Sequence, residues 1–248
     1  MHRSSLGQLG NAATIGAGFR GEIDLRGDLR LVHRSAGGVI LEERDLHNTV
    51  VTAGRNWLAS YLAPSPPANM GYIGYGSGGI YTTLNGATLA AATSITLTSG
   101  TGTANNDYLL IDPNNTDPIA RELSQISSGG GTTSITLATA LRVAHTNGVG
   151  VADIGTGLAK TALNTEIASS RQSATVTAST NVIQYVATFT NSGAQVTVNE
   201  SAVFNASSAG TMLCYVAFGG FTLATNDSLQ ITWKVTLGVG LDSSTYDV

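Results

Sequence analysis

The sequence predicts an all-β protein: an antiparallel β-sandwich with one short helix and an inserted small β-barrel-like domain. Three observations carry this. From Asn181 to Phe218, short runs rich in β-branched and aromatic residues are separated by turns of Asn, Ser and Gly, the pattern of successive antiparallel strands. Ser228 to Leu237 alternates strictly, with Leu229, Ile231, Trp233, Val235 and Leu237 on one face, so one side meets a core and the other meets water. Only Arg55 to Ala63 has helical spacing over any length, with Trp57, Leu58, Tyr61 and Leu62 on one face and Pro64, Pro66 and Pro67 to end it.

Taken in order, residues 1–18 are rich in Gly, Ala and Ser without periodicity and read as a flexible N-terminal arm. Glu22 to Arg26 and Leu29 to Arg34 alternate as strands, Ser35 to Gly38 is a hairpin turn, and Val39 to Leu46 returns. Four of the twelve basic residues, Arg26, Arg30, Arg34 and Arg44, cluster here, mixed with acid, as expected of a solvated sheet face with cross-strand pairs. The helix is expected to plug one opening of the sandwich. Met70 to Gly79 follows as a strand whose glycines suggest close approach of another backbone. Its Gly76 to Gly79 tail is not a phosphate loop, because no Lys-Ser/Thr and no helical pattern follows.

Between Leu84 and Ile154 the texture changes. Ala92 to Gly100 and Thr132 to Ala140 are two similar runs of Thr, Ser, Ile and Leu about 40 residues apart, too few for a repeat array and suited to a small module closed on itself. Asp107 to Asp112 and Arg121 to Ile126 are compatible with strands inside it. The expected organisation is an arm at 1–18, a discontinuous sandwich at 19–83 plus 155–248, and an inserted β-domain at 84–154.

Composition narrows the function classes. The 248 residues include 42% apolar residues, enough for a sizeable core, but only 11% charged ones, against roughly 25% in ordinary soluble domains. A neutral surface of hydroxyls and amides suits a protein packed against neighbours. The net charge of −4 offers no electrostatic footprint for nucleic acid. One cysteine, Cys214, excludes an internal disulfide framework, and its place in an apolar run marks a buried thiol. Residues 4–18 lack a signal-peptide core and no window approaches the roughly 18 apolar residues of a membrane span. The expected place is therefore the cytoplasm of the cell that makes the chain, or the medium after lysis.

Several segments together carry a resemblance. Asn48 to Gly54 with its following helix, Ile73 to Gly78, Ala162 to Ala168, Tyr185 to Phe189, Val198 to Asn205, Gly210 to Cys214 and Asp227 to Thr236 resemble a family of structural proteins of tailed-bacteriophage virions. The stretch holding Ile95 to Leu97, Asp107 to Ile111, Arg121 to Leu123 and Arg142 to Gly148 is similar to small β-modules that recur inside phage virion proteins. The resemblance implies a non-enzymatic virion component that forms a homo-oligomer on the particle surface and decorates or cements the capsid. Its partners would be further copies of itself and the major capsid protein or other virion proteins, with no nucleic acid and no membrane. The alternative is a tail or neck component, or a tail-associated adhesion module that binds a host glycan or receptor.

No catalytic, cofactor or metal residue is assigned. His33, His47 and Asp45, with Glu42 and Glu43, lie close in sequence, but the histidines need not share a face and no activated Ser or Cys accompanies them. Asp107, Asp112, Asn114, Asn115 and Asp117 are hard oxygen donors without a calcium-loop spacing, and read as turn chemistry. His145 stands alone before a turn, where it is expected to bond the turn backbone. Glu200 lies either on the face opposite Val196 and Val198, in solvent, or shifted by a bulge; buried and bonded to backbone amides it would be a structural anchor. Trp57, Trp233, Tyr185 and Phe189 are assigned to the core. Tyr72, Tyr75 and Tyr81 suit either packing or a flat stacking surface for a sugar.

Overall fold

The computed structural model describes residues 25–61, 66–115, 117–168 and 170–238; the arm expected at 1–18 lies outside them. In chain order come β1 (Leu25–Arg34), β2 (Ile40–Val50), α1 (Thr52–Tyr61), β3 (Tyr72–Gly76), β4 (Ile80–Thr83), β5 (Ser94–Thr96), β6 (Tyr108–Ile111), β7 (Glu122–Ser128), β8 (Ser134–Leu137), β9 (Gly150–Asp153), β10 (Gln172–Ser173), β11 (Thr175–Ser179), β12 (Val182–Thr190), β13 (Val196–Phe204), β14 (Met212–Leu223) and β15 (Ser228–Leu237). The fold is all-β, with one α-helix among the described residues.

A nine-stranded antiparallel sheet runs in the order β10-β3-β13-β14-β2-β1-β15-β12-β11. β2 is its corner: up to Asn48 it pairs with β1, and at Thr49 and Val50 it pairs with Tyr215 and Cys214 of β14. The halves on either side of that corner face each other as a sandwich. Tyr75 of β3 sets its ring edge-on against Phe189 of β12, with centroids 4.7 Å apart, and Trp233 Nε1 of β15 donates to Ser201 Oγ of β13 at 3.3 Å. Leu229, Ile231, Trp233 and Val235 are all buried, as the alternation of that run predicts. Burial of such side chains contributes about 1.5–3 kcal/mol each.

The neighbours in sequence are not always neighbours in space. β12 and β13 follow one another, yet β12 pairs with β11 and β15 while β13 pairs with β3 and β14. The turn between them crosses from one layer to the other. Local strand pattern carries no information about that crossing, because a sandwich strand has the same alternation whichever layer it joins.

The second sheet uses only residues between Ile80 and Asp153, in the order β4-β9-β6-β7-β8-β5. A bridge between Leu84 and Leu97 joins its two ends, and Asn85 N donates to Thr96 O at 2.8 Å while Thr98 N donates to Thr83 O at 2.8 Å. The sheet is thereby closed into a small barrel with no free edge. Ile95, Leu97, Leu109, Ile111, Ile126, Ile135, Leu137 and Val151 fill it. The two similar Thr-Ser-Ile-Thr runs are partners: Ile95 of β5 lies opposite Ile135 of β8.

α1 lies against β14. Gly54 is its buried residue, and Trp57 is half-buried against the sandwich core with Nε1 donating to Ala68 O at 2.8 Å. Leu62 and Pro64 fall outside the described residues, and α1 ends at Tyr61.

Candidate functional site

Sandwich and barrel meet on an apolar patch. Ala152, Ile154 and Leu163 pack with Val51, Ala202, Phe204, Met212, Tyr215 and Ala217, and Tyr72, Tyr81 and Tyr108 close over them. Set into this patch is a buried polar network, which is the most concentrated chemistry among the described residues.

Glu200 is its centre and is fully buried. The pairing of β13 with β14 shifts register between Val198 and Glu200, and that bulge turns the side chain inward. Its Oε1 accepts from Thr165 N at 2.8 Å and Gly78 N at 3.2 Å; its Oε2 accepts from Asn164 N at 2.9 Å and the Tyr215 hydroxyl at 3.0 Å. The solvent-facing reading of Glu200 is therefore overturned, and the anchor reading holds. Four donors compensate the desolvation that a buried carboxylate otherwise suffers. The glycines before it have a reason: a Cβ on Gly76 would sit 2.4 Å from Glu200 Oε1 and from Thr165 O, and one on Gly79 would sit 2.3 Å from Asn199 O. Only Gly permits this approach.

Lys160, 6% exposed, lies beside this carboxylate. Its Nζ donates to Asn164 Oδ1 at 2.6 Å and sits over the Tyr215 ring, 4.5 Å from the centroid. Burial pushes the ammonium pKa down, against the pull of Glu200, Asp153 and Asp107. Asp153, also buried, accepts from Gly155 N at 2.6 Å through Oδ1, while Oδ2 makes no hydrogen bond among the described residues. Burial first, and the neighbouring Asp107 carboxylate as well, push the Asp153 pKa up to about 6. Burial, then the charge of Glu200, pushes the Tyr215 phenol far above its ordinary range. Tyr215, Lys160, Asp153 and Glu122 were not singled out from the sequence. A lysine or acid in a polar loop carries no mark of burial until the fold closes over it.

The barrel holds a second buried cluster. Glu122 on β7 accepts from Arg142 N at 2.6 Å, Val143 N at 3.0 Å and His145 Nε2 at 3.1 Å. Burial raises its pKa, but the two backbone donors and His145 outweigh it and the net shift is downward. His145 is thus partnered by a carboxylate rather than by the turn backbone expected for it.

The remaining candidates separate. His33 and His47 point to opposite sides of the sheet. His33 is buried with Nε2 3.0 Å from Asp227 Oδ2, and His47 Nδ1 is 2.5 Å from Asp28 Oδ1 on the outer face. Asp45 and Glu43 lie beside Arg30 as cross-strand or diagonal pairs on the solvated face, whereas Glu42 pairs with Arg44 on the opposite face, where the guanidinium lies over the Phe221 ring. The acidic loop is turn chemistry: Asn115 Nδ2 donates to Asp112 Oδ2 at 2.8 Å, and Asp117 Oδ1 accepts from Ile119 N at 2.9 Å. Asp107 accepts from Ala104 N at 2.7 Å. Among the described residues no group of three His, Cys, Asp or Glu is placed to hold a metal ion. The tyrosines form no exposed platform: Tyr75 is 8% exposed in the sandwich core, and Tyr72 and Tyr81 are half-buried at the barrel contact. Cys214 is buried.

Comparison with family models, with characterised proteins and with solved structures gives no match. Among the described residues no helix is long and apolar enough to cross a membrane.

Proposed function

We propose that this chain is a non-enzymatic structural component of a tailed-phage virion, forming a homo-oligomer on the particle surface and decorating the capsid. The observation that carries this reading is the edge strand β11. It ends the nine-stranded sheet, it is exposed at all of its five positions, and its sequence Thr-Val-Thr-Ala-Ser carries no charge. Proteins that remain alone blunt such edges with lysine, proline or a bulge. β11 has none of these, and its register with β12 is unbroken from Thr175 to Ser179. A second neutral feature is the β1–β2 hairpin, where Val39, Ile40 and Leu41 are 64%, 49% and 55% exposed. Three consecutive exposed apolar residues at a hairpin tip suit a protein contact.

The buried ionisable groups support the non-enzymatic part of the reading. Glu200, Glu122 and Asp227 are each consumed by backbone amides and by side-chain partners, the arrangement of an anchor rather than of an acid or base open to substrate. A neck or tail position would use the same neutral surface, and a glycan-binding role loses the tyrosine platform it called for. The test is sedimentation velocity of the full-length chain at micromolar concentration. The proposal expects a closed oligomer that Val176→Lys weakens. A monomer at every concentration, with no affinity for particles, counts against it.

A further inference from the structure

The segment from Gly157 to Asn164 leads out of the last barrel strand, and within it the buried amine of Lys160 touches the carboxamide of the exposed Asn164. Lys160 Nζ lies 2.6 Å from Asn164 Oδ1, and the lysine spends its hydrogen bond on this amide rather than on a carboxylate. Asn164 is held from three sides. Its backbone N donates to Glu200 Oε2 at 2.9 Å, and its Nδ2 donates to Gly78 O at 3.1 Å and to the Tyr215 hydroxyl at 3.3 Å. The carboxamide therefore presents its carbonyl to the amine and its NH2 to two acceptors.

We propose that Lys160 and Asn164 join in an intramolecular isopeptide bond, a self-catalysed cross-link in the segment between barrel and sandwich. The unprotonated Nζ attacks Cγ of Asn164. The Nζ–Cγ bond forms and the Cγ–Nδ2 bond breaks, Nζ sheds one proton and the departing nitrogen gains one, and ammonia leaves. No oxidant or co-reactant is needed, and the chain loses about 17 Da, the mass of ammonia.

Three features favour the step. Fixed contact between the two groups replaces an encounter, which raises effective concentration by orders of magnitude. Burial of Lys160 favours its neutral amine, the nucleophilic form. Asp153 Oδ2, which makes no hydrogen bond among the described residues, is open to the proton that Nζ sheds, while the pull of Asp153 and Glu200 towards the ammonium is outweighed by burial. An unactivated amide reacts slowly, but each molecule needs to react once and the loss of ammonia makes the step irreversible. The inference stands independently of the chain's place on a particle.

The test is mass spectrometry of the full-length folded chain, denatured before injection. The proposal expects a mass about 17 Da below that of the sequence. It also expects no tryptic cleavage after Lys160, so that residues 143–171 appear as one peptide carrying the deficit. Succinimides at Asn85-Gly86 and Asn147-Gly148 have the same mass change, and Lys160→Arg separates the cases. A cross-link disappears in that variant, whereas a succinimide persists and leaves Lys160 of the parent chain cleavable. Asn164→Ala provides a second variant, in which cleavage after Lys160 returns. Full sequence mass with normal cleavage after Lys160 overturns the proposal.

Discussion

Tyr215 on β14 donates its hydroxyl proton to Glu200 Oε2 on the adjacent strand β13 at 3.0 Å, at a place where neither side chain reaches water. The same carboxylate gathers the backbone amides of Gly78, Asn164 and Thr165. One side chain thus ties the loop after β3 and the segment after the barrel to the middle of the sandwich.

Removing that acceptor takes the partner from four donors, the buried Tyr215 hydroxyl and the amides of Gly78, Asn164 and Thr165. Glu200→Ala is expected to destabilise the fold by roughly 3 kcal/mol or more, and Tyr215→Phe by about 1–2 kcal/mol. Urea denaturation of the two variants checks both values. Glu200→Gln is also destabilising, because its NH2 would face backbone N–H groups.

Asp153 acts in the opposite direction to most buried acids. Its folded-state pKa, about 6, lies above the unfolded value of 3.8, so the ionised form is disfavoured in the fold. Its cost is present above pH 6 and is relieved as the pH falls through about 6 towards 4. Asp153→Asn keeps the shape without the charge. That variant is expected to be more stable than the parent at pH 8, by up to about 3 kcal/mol, and to converge with it near pH 4. Thermal melting of both chains across that range measures the difference.

Asp227 has the usual sign. The His33 hydrogen bond, with the Ala224 and Ala36 amides, holds its pKa below the ordinary value despite burial. Its contribution is present above the unfolded carboxylate pKa and is lost as the pH falls through the lower folded one. Asp227→Asn is expected to lower the melting temperature at pH 7 and to converge with the parent in acid.

Gly54 sets helix propensity against packing. Alanine is better than glycine inside a helix by about 1 kcal/mol, yet a Cβ at this position of α1 would lie 2.3 Å from Leu213 O and 2.7 Å from Leu213 Cα. Backbone cannot yield as a side chain does, so Gly54→Ala is expected to cost roughly 1–3 kcal/mol net, as read from chemical denaturation.

What was legible in the sequence is what repeats at short range. The alternation of Ser228 to Leu237, the Ser35 to Gly38 turn, α1 and the two similar Thr-Ser-Ile-Thr runs all announce themselves within a few residues. The β13 bulge was legible only as an alternative, since the run around Glu200 fits either face until the pairing with Phe221 and Ala217 is known. Pairings across long loops left no local trace: Glu122 with His145, His33 with Asp227 and Lys160 beside Glu200 depend on how the sheets close. The tyrosines stayed ambiguous for the same reason. Tyr75 among glycines looks like an exposed ring, and it is the partner strand that buries it.

The proposed virion role meets its most direct test in immunogold labelling of intact particles with an antibody to this chain. The account predicts label spread over the head. Particles that carry no label, from lysates in which the chain is abundant, would contradict it.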